Sequence, residues 1–245
     1  MDIRVLDRQG TKLAVLDTGG DGEAIVLVHG WCCDRSFFHP QVEYFSNAGY
    51  RILAVDLRGH GESDAPPGSY AMQVFADDVA WSAREIGVKD PVIVGHSMGG
   101  VVAFDVAARY PDLISGVVMI DSSVVRSIAA LRAIDGLCDA LAGPDRVRIA
   151  REYVRNALFI ATDDPARRDS ILDRMAATPA HVMLSAMIGL RDYDPGYASG
   201  LINSPCVFIS ADQPIPRTDI RALQALVPQL MTGRTVGSGH FCQLE

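Results

Sequence analysis

None of the apolar stretches in this 245-residue sequence approaches the roughly 18–20 residues that a membrane-spanning helix needs, so no membrane span is expected. No basic stripe is present, and such a stripe is the electrostatic footprint of a nucleic-acid binder. The net charge of −8 argues against an anionic membrane surface as well, and the acidic residues are scattered, as on a solubilising surface. The five cysteines, Cys32, Cys33, Cys138, Cys206 and Cys242, are odd in number and form no CxxC pair. That excludes a cysteine-clustered metal site and a disulfide framework, and it predicts free thiols acting as small buried hydrophobes in a reducing compartment. The opening MDIRVLDRQG lacks a basic segment followed by an apolar one, so no secretory leader and a cytoplasmic location are expected. Neither internal repeats nor low-complexity segments occur.

What is present suits one sizeable core. Hydrophobic residues make up 49% of the chain, enough for a single domain carrying an insertion. IRVLD and KLAVLDTGG read as a hairpin. AIVLVHG (24–30), RILAVDLRGHG (51–61), PVIVGHS (91–97), GVVMID (116–121) and CVFIS (206–210) are short runs apolar on both faces, the pattern of buried parallel strands. RTVGSGH (234–240) contains a weaker one. Helical spacing separates several of them, over 72–87, 98–112 and 219–228. Strand and helix in alternation predict a doubly wound α/β sheet. Residues 122–200 break the alternation with four helix-like segments. They predict a helical cap inserted into a core of residues 1–121 and 201–245, over the crevice where such sheets bind ligands. Ordinary packing is the plainer role for those helices.

The sharpest motif is Gly95-His96-Ser97-Met98-Gly99-Gly100. It follows a predicted strand and opens a predicted helix, the setting of a G-x-S-x-G nucleophile elbow. The turn is tight enough that side chains at Gly95 and Gly99 would collide with the neighbouring backbone. Ser97 is then held out above the sheet edge, at a helix N-terminus with free N–H groups. HGW (29–31), DLRGHGESD (56–64), GHSMGG (95–100) and SGH (238–240) together resemble an α/β-hydrolase-fold serine hydrolase, and the likeness runs over nearly the whole chain. Relatives with a dehalogenase or epoxide-hydrolase activity carry Asp at the Ser97 position, so Ser97 implies an acyl-enzyme route with attack on a carbonyl.

Of the six histidines, the resemblance implies that His240, in VGSGHF, is the general base and then the general acid. His29 and His60 fit loop-tying roles, with His29 also a candidate for the substrate pocket; His96 fits elbow packing, and His39 and His181 stand in no motif. An oxyanion hole needs two N–H groups. Met98 N–H, next after the nucleophile, supplies one, and the resemblance implies that Trp31 N–H supplies the other. The carboxylate that orients His240 has two candidates. In most relatives it lies in the loop after the strand before the last helix, here Ala211-Asp212-Gln213-Pro214, but Pro214 occupies the usual acid position and Asp212 comes two residues early. In the haloalkane dehalogenase branch the acid follows the earlier strand, at the position of Asp121. That spacing favours Asp121, with Asp212 the alternative.

The resemblance implies a cofactor-independent and metal-independent serine hydrolase that cleaves a small, fairly apolar carboxylic ester or lactone. Met183 and Met187, with Met175, Leu184 and Ile188, are candidate pocket walls, although any one of them can equally be core. Three alternatives remain: a hydrolase of carbon–carbon bonds in ring-cleavage products, a slow-turnover small-molecule sensor and, more remotely, a cofactor-free oxygenase of the same fold. The partner expected is a small-molecule substrate, with monomer and homodimer both open. The resemblance also implies a closing helix after His240, for which the sequence leaves five residues. A truncated chain and an absent helix both remain open.

Overall fold

A computed structural model describes residues 1–213 and 216–245. Its eight strands, β1 (Asp2–Arg8), β2 (Thr11–Asp17), β3 (Ala24–Val28), β4 (Arg51–Val55), β5 (Val92–His96), β6 (Gly116–Ile120), β7 (Cys206–Ser210) and β8 (Leu230–Arg234), form one sheet in the order β1-β2-β4-β3-β5-β6-β7-β8. The first hairpin is antiparallel, β2 pairs antiparallel with β4, and every pair from β4 to β8 is parallel. The central strands are short and apolar because helices cover both of their faces. β3 (AIVLV) is buried at every position.

Three helices connect the strands from β3 to β6. α1 (His39–Asn47) lies between β3 and β4, α2 (Met72–Ile86) between β4 and β5, and α3 (Met98–Arg109) between β5 and β6. From β3 the chain passes to β4 on one side, then returns to β5 on the other. That reversal leaves a crevice at the carboxyl ends of β3 and β5, the place where open α/β sheets bind ligands. α4 (Ile128–Leu141), α5 (Arg146–Ala157), α6 (Pro165–Ala176) and α7 (Ala180–Asp192) follow β6, and α8 (Ile220–Leu226) joins β7 to β8. α4 starts where the Ser127 hydroxyl accepts from Ala130 N–H, and it buries Leu137, Cys138 and Leu141 on one face. α7 buries Val182, Met183, Ala186, Met187 and Leu190 at helical spacing.

Two sequence expectations need correction. The last strand is Leu230–Arg234, not within 234–240, and only Leu230 in it is buried. An edge strand with four exposed residues carries no apolar alternation to reveal it. α1 was not expected at all, since Val42 is its only buried residue. Pro214, the residue at the usual acid position, lies outside the described residues.

Candidate active site

Ser97 sits between β5 and α3 with φ 55° and ψ −121°, a strained conformation for a residue with a side chain. Its N–H donates to the Ile120 carbonyl at 2.9 Å, tying the turn to the end of β6. The glycines around it are sterically required. A Cβ on Gly95 would lie 2.1 Å from the Gly99 carbonyl oxygen, and one on Gly99 would lie 2.1 Å from the Val28 carbonyl oxygen. Only there can α3 press so closely onto β3 and β5.

The loop after β3 runs against the serine, for a Cβ on Gly30 would stand 3.1 Å from Ser97 Cβ. Trp31 Nε1–H donates to the Met183 carbonyl of α7 at 2.9 Å, fixing the indole beneath the inserted helices. His29 braces the same loop from behind: its Nδ1–H donates to the Gly30 carbonyl at 2.8 Å, and its Nε2 accepts from Leu57 N–H at 3.1 Å. Cys32, Ser97 and Asp121 all have positive φ (56°, 55° and 41°), so three of the five strained non-glycine residues among those described flank one crevice.

Asp121 directly follows β6. His240 Nδ1–H donates to its Oδ2 at 2.6 Å, with both residues buried. That bond puts the proton on Nδ1 and leaves Nε2 as the free lone pair of a neutral ring. The other oxygen, Oδ1, accepts from Ala211 N–H at 3.0 Å. Arg217 Nε also donates to Oδ2, at 3.0 Å, while its Nη2 reaches the Ala157 carbonyl at the end of α5 at 2.8 Å. Burial alone would raise the Asp121 pKa, but the His240 hydrogen bond and the Arg217 charge outweigh it and hold the carboxyl well below the usual carboxylate range. Burial and then the Arg217 charge push His240 down to about 4, against the opposing pull of Asp121. At neutral pH the pair is therefore a carboxylate and a neutral imidazole. His96 Nε2–H donates to the His240 carbonyl at 2.8 Å and steadies its backbone.

Asp212 does not meet His240. Its side chain accepts from Gly237 N–H at 2.9 Å and pairs with Arg234, and these two partners lower its pKa. It is a turn carboxylate bracing the loop that leads to His240. Gly239 in that loop has its own steric reason, since a Cβ there would lie 2.6 Å from Asp163 Oδ1, in the connection between α5 and α6.

A cavity of about 680 Å³ joins these parts. Ser97, His240, Trp31 and Gly30 line it from the sheet side; Tyr153, Phe159, Met175, Met187 and Leu190 line it from the inserted helices. Of the expected pocket residues, Met187 and Met175 are in the wall. Met183 and His29 are not: Met183 is fully buried between α7 and the core, and His29 is spent on the Gly30 and Leu57 main chain. Leu184 and Ile188 also lie off the cavity, as does the buried Met98 side chain. Cys33 reaches the wall, but burial drives its thiol pKa far up, and Cys32 likewise, so neither is an available thiolate. Arg217, Arg126, Asp163 and Asn156 were not foreseen. None stands in a motif; Asn156, Asp163 and Arg217 are brought in from elements distant in sequence from Ser97, and Arg126 from the segment between β6 and α4.

The family model for the alpha/beta hydrolase fold matches residues 23–138. The chain is 35% identical over 121 residues to 2-(acetamidomethylene)succinate hydrolase of Mesorhizobium japonicum, a match covering 49% of this chain and 43% of that protein. The chain spans less than half the length of the first curated relatives it matches. Among solved structures, a thermophilic esterase from Thermogutta terrifontis superposes with a TM-score of 0.86 at 24% identity, covering 100% of this chain and 93% of that one. The enol-lactonase from Burkholderia xenovorans LB400 superposes with a TM-score of 0.87 at 23% identity, covering 97% and 93%. The chain has the α/β-hydrolase fold. Among the described residues no helix is long and apolar enough to cross a membrane.

Proposed function

We propose that the protein is a serine hydrolase of small carboxylic esters or lactones. The observation that carries this reading is a serine on a strained strand–helix turn that shares one cavity with a histidine whose Nδ1–H is bound by a buried carboxylate at 2.6 Å. In this reading Ser97 Oγ attacks the substrate carbonyl carbon while His240 Nε2 takes the hydroxyl proton. Asp121 keeps the proton on Nδ1 and stabilises the imidazolium that forms. The developing oxyanion sits between Trp31 N–H and Met98 N–H, the latter unused by α3 because the first N–H groups of a helix have no partner within it. The imidazolium then protonates the departing alkoxide, leaving an acyl-enzyme on Ser97. A water that gives its proton to His240 Nε2 attacks the acyl carbon, and collapse of the second intermediate returns the proton to Ser97 and frees the acid.

Residues 122–200 act as a cap over a core of residues 1–121 and 201–245. Support comes from Tyr153, Phe159, Met175 and Met187, which close the cavity over the sheet edge. The names of the esterase and the enol-lactonase fit the ester or lactone class. The test is a panel of esters and lactones of graded acyl size with Ser97→Ala as control. Turnover of at least one member, abolished by Ser97→Ala, is the expected result. Turnover that survives the substitution rejects the mechanism.

A further inference from the structure

The chain carries a formal charge of −8, yet the described residues that line the cavity include no aspartate and no glutamate. The only charged side chains in that wall, among the described residues, are Arg126 and Arg217. Arg217 is ion-paired with Asp121 at 3.0 Å. Arg126 has no carboxylate within ion-pair distance among the described residues, and Asp194 acts on its charge only from farther off. Its Nη1–H donates to the Ser123 carbonyl at 3.0 Å, and Nη2 reaches the Tyr193 carbonyl and, at 3.5 Å, that of Arg191. Its Nε–H is buried with no acceptor. A guanidinium carries five N–H groups, so main-chain carbonyls leave part of the fork unused.

Arg146 and Arg168, also half-buried, likewise donate only to main-chain carbonyls among the described residues, but neither lines the cavity, and other half-buried arginines are ion-paired. Arg58 and Arg8 share Asp78, Arg51 holds Asp17, and Arg35 holds Asp56. A cation in a largely apolar cavity without a carboxylate in direct contact carries a desolvation cost that a bound anion would offset. Three carbonyls fix the guanidinium without cancelling its charge, and the last turn of α7 adds its own partial negative charge to hold it there. Arg126 also follows β6 by a few residues, tethered to Ser123 in the same cavity wall as Ser97 and His240.

We infer that Arg126 receives a carboxylate carried by the substrate, so that the ester or lactone cleaved is an anionic one, of the kind represented by a half-ester of a short dicarboxylic acid. The inference rests on the hydrolase reading above for the word substrate, and on the cavity alone for the anion. It narrows the expectation of a fairly apolar substrate to one with an apolar body and an acidic end.

The experiment compares monoethyl glutarate with neutral diethyl glutarate in the wild type and in Arg126→Gln. A charge-assisted hydrogen bond supports a change of about tenfold or more. The ratio of kcat/KM for the half-ester to that for the diester should fall by that factor in the variant, through a higher KM for the half-ester. An unchanged ratio, including an equal loss on both esters, overturns the inference, since a merely structural arginine does not sense substrate charge. In parallel, thermal shifts are read with glutarate and with neutral glutaramide. Glutarate alone should raise the wild-type Tm, and the rise should vanish in Arg126→Gln. Equal or absent wild-type shifts overturn the anion site, and that measurement also decides the matter if Arg126→Gln fails to fold. If wild type cleaves neither ester, the hydrolase reading fails separately, while the glutarate comparison still tests Arg126.

Discussion

One oxygen of Asp121, Oδ2, meets both His240 Nδ1 and Arg217 Nε. That sharing sets the expectations at the scale of single residues. Asp121→Asn removes the acceptor that fixes the imidazole tautomer, and turnover should drop by about three to four powers of ten. Asp212→Asn loosens only the turn at Gly237 and Arg234, and should leave activity within about tenfold of wild type. Steady-state kinetics on both variants checks this, and the opposite pattern would transfer the acid role to Asp212. Arg217 contributes a positive charge beside His240. In the proposed mechanism His240 works deprotonated, so a depressed pKa extends activity to lower pH, and the acid limb of kcat/KM should lie well below the ordinary histidine value of 6.5. Arg217→Gln removes the repelling charge, which raises the His240 pKa and should move that limb to higher pH. A pH–rate profile whose acid limb stays fixed in the variant would contradict the electrostatic role assigned to Arg217.

At the scale of elements, two glycines that look alike in sequence have opposite meanings. Gly99, in the first turn of α3, touches the β3 backbone, and any Cβ there overlaps the Val28 and His29 carbonyls. Gly136 sits exposed within α4, with open space where a Cβ would go. Gly99→Ala should therefore destabilise by about 2 kcal/mol or more, whereas Gly136→Ala should stabilise by roughly 0.5–1 kcal/mol through reduced backbone entropy. Chemical denaturation of the two variants measures both signs, and a tolerated Gly99→Ala would mean that α3 does not pack on β3 as closely as described. The elements themselves were legible in the sequence where burial is two-sided, as in AIVLV and GVVMI, or follows helical spacing, as in α2 and α4. β8 and α1 were not, because each shows too little apolar surface to the core to leave a period.

The whole molecule brings together what the chain separates. Ser97 and its glycines were readable because local sterics dictate them, and His240 because it closes a motif-bearing loop. Spacing favoured Asp121 over Asp212 without deciding between them, since both follow neighbouring parallel strands, and it is the packing of the 235–240 loop that sets His240 against Asp121. Arg217, Arg126 and Asp163 had no local signature; Asp163 and Arg217 come from connections far along the chain from Ser97, and Arg126 from the segment between β6 and α4. The buried histidines also give the molecule a global pH response. Burial lowers His29 to about 4, His60 to about 3 and His240 to about 4, and lowers His96 as well, all from 6.5. Between pH 6.5 and those values the unfolded chain binds protons that the native one refuses. This contribution to stability is complete above pH 6.5 and is lost as pH falls, so Tm should decline steadily from pH 7 to pH 5. A Tm independent of pH over that interval would mean that these rings are not held neutral.

The central claim is that Ser97 is an activated nucleophile. Peptide-resolved mass spectrometry after treatment with a fluorophosphonate tests it most directly, because the reagent phosphonylates only a serine whose proton a base removes. The account predicts one adduct, on Ser97, blocked in His240→Ala and absent in Ser97→Ala. A folded wild-type protein that carries no adduct on Ser97 would contradict it.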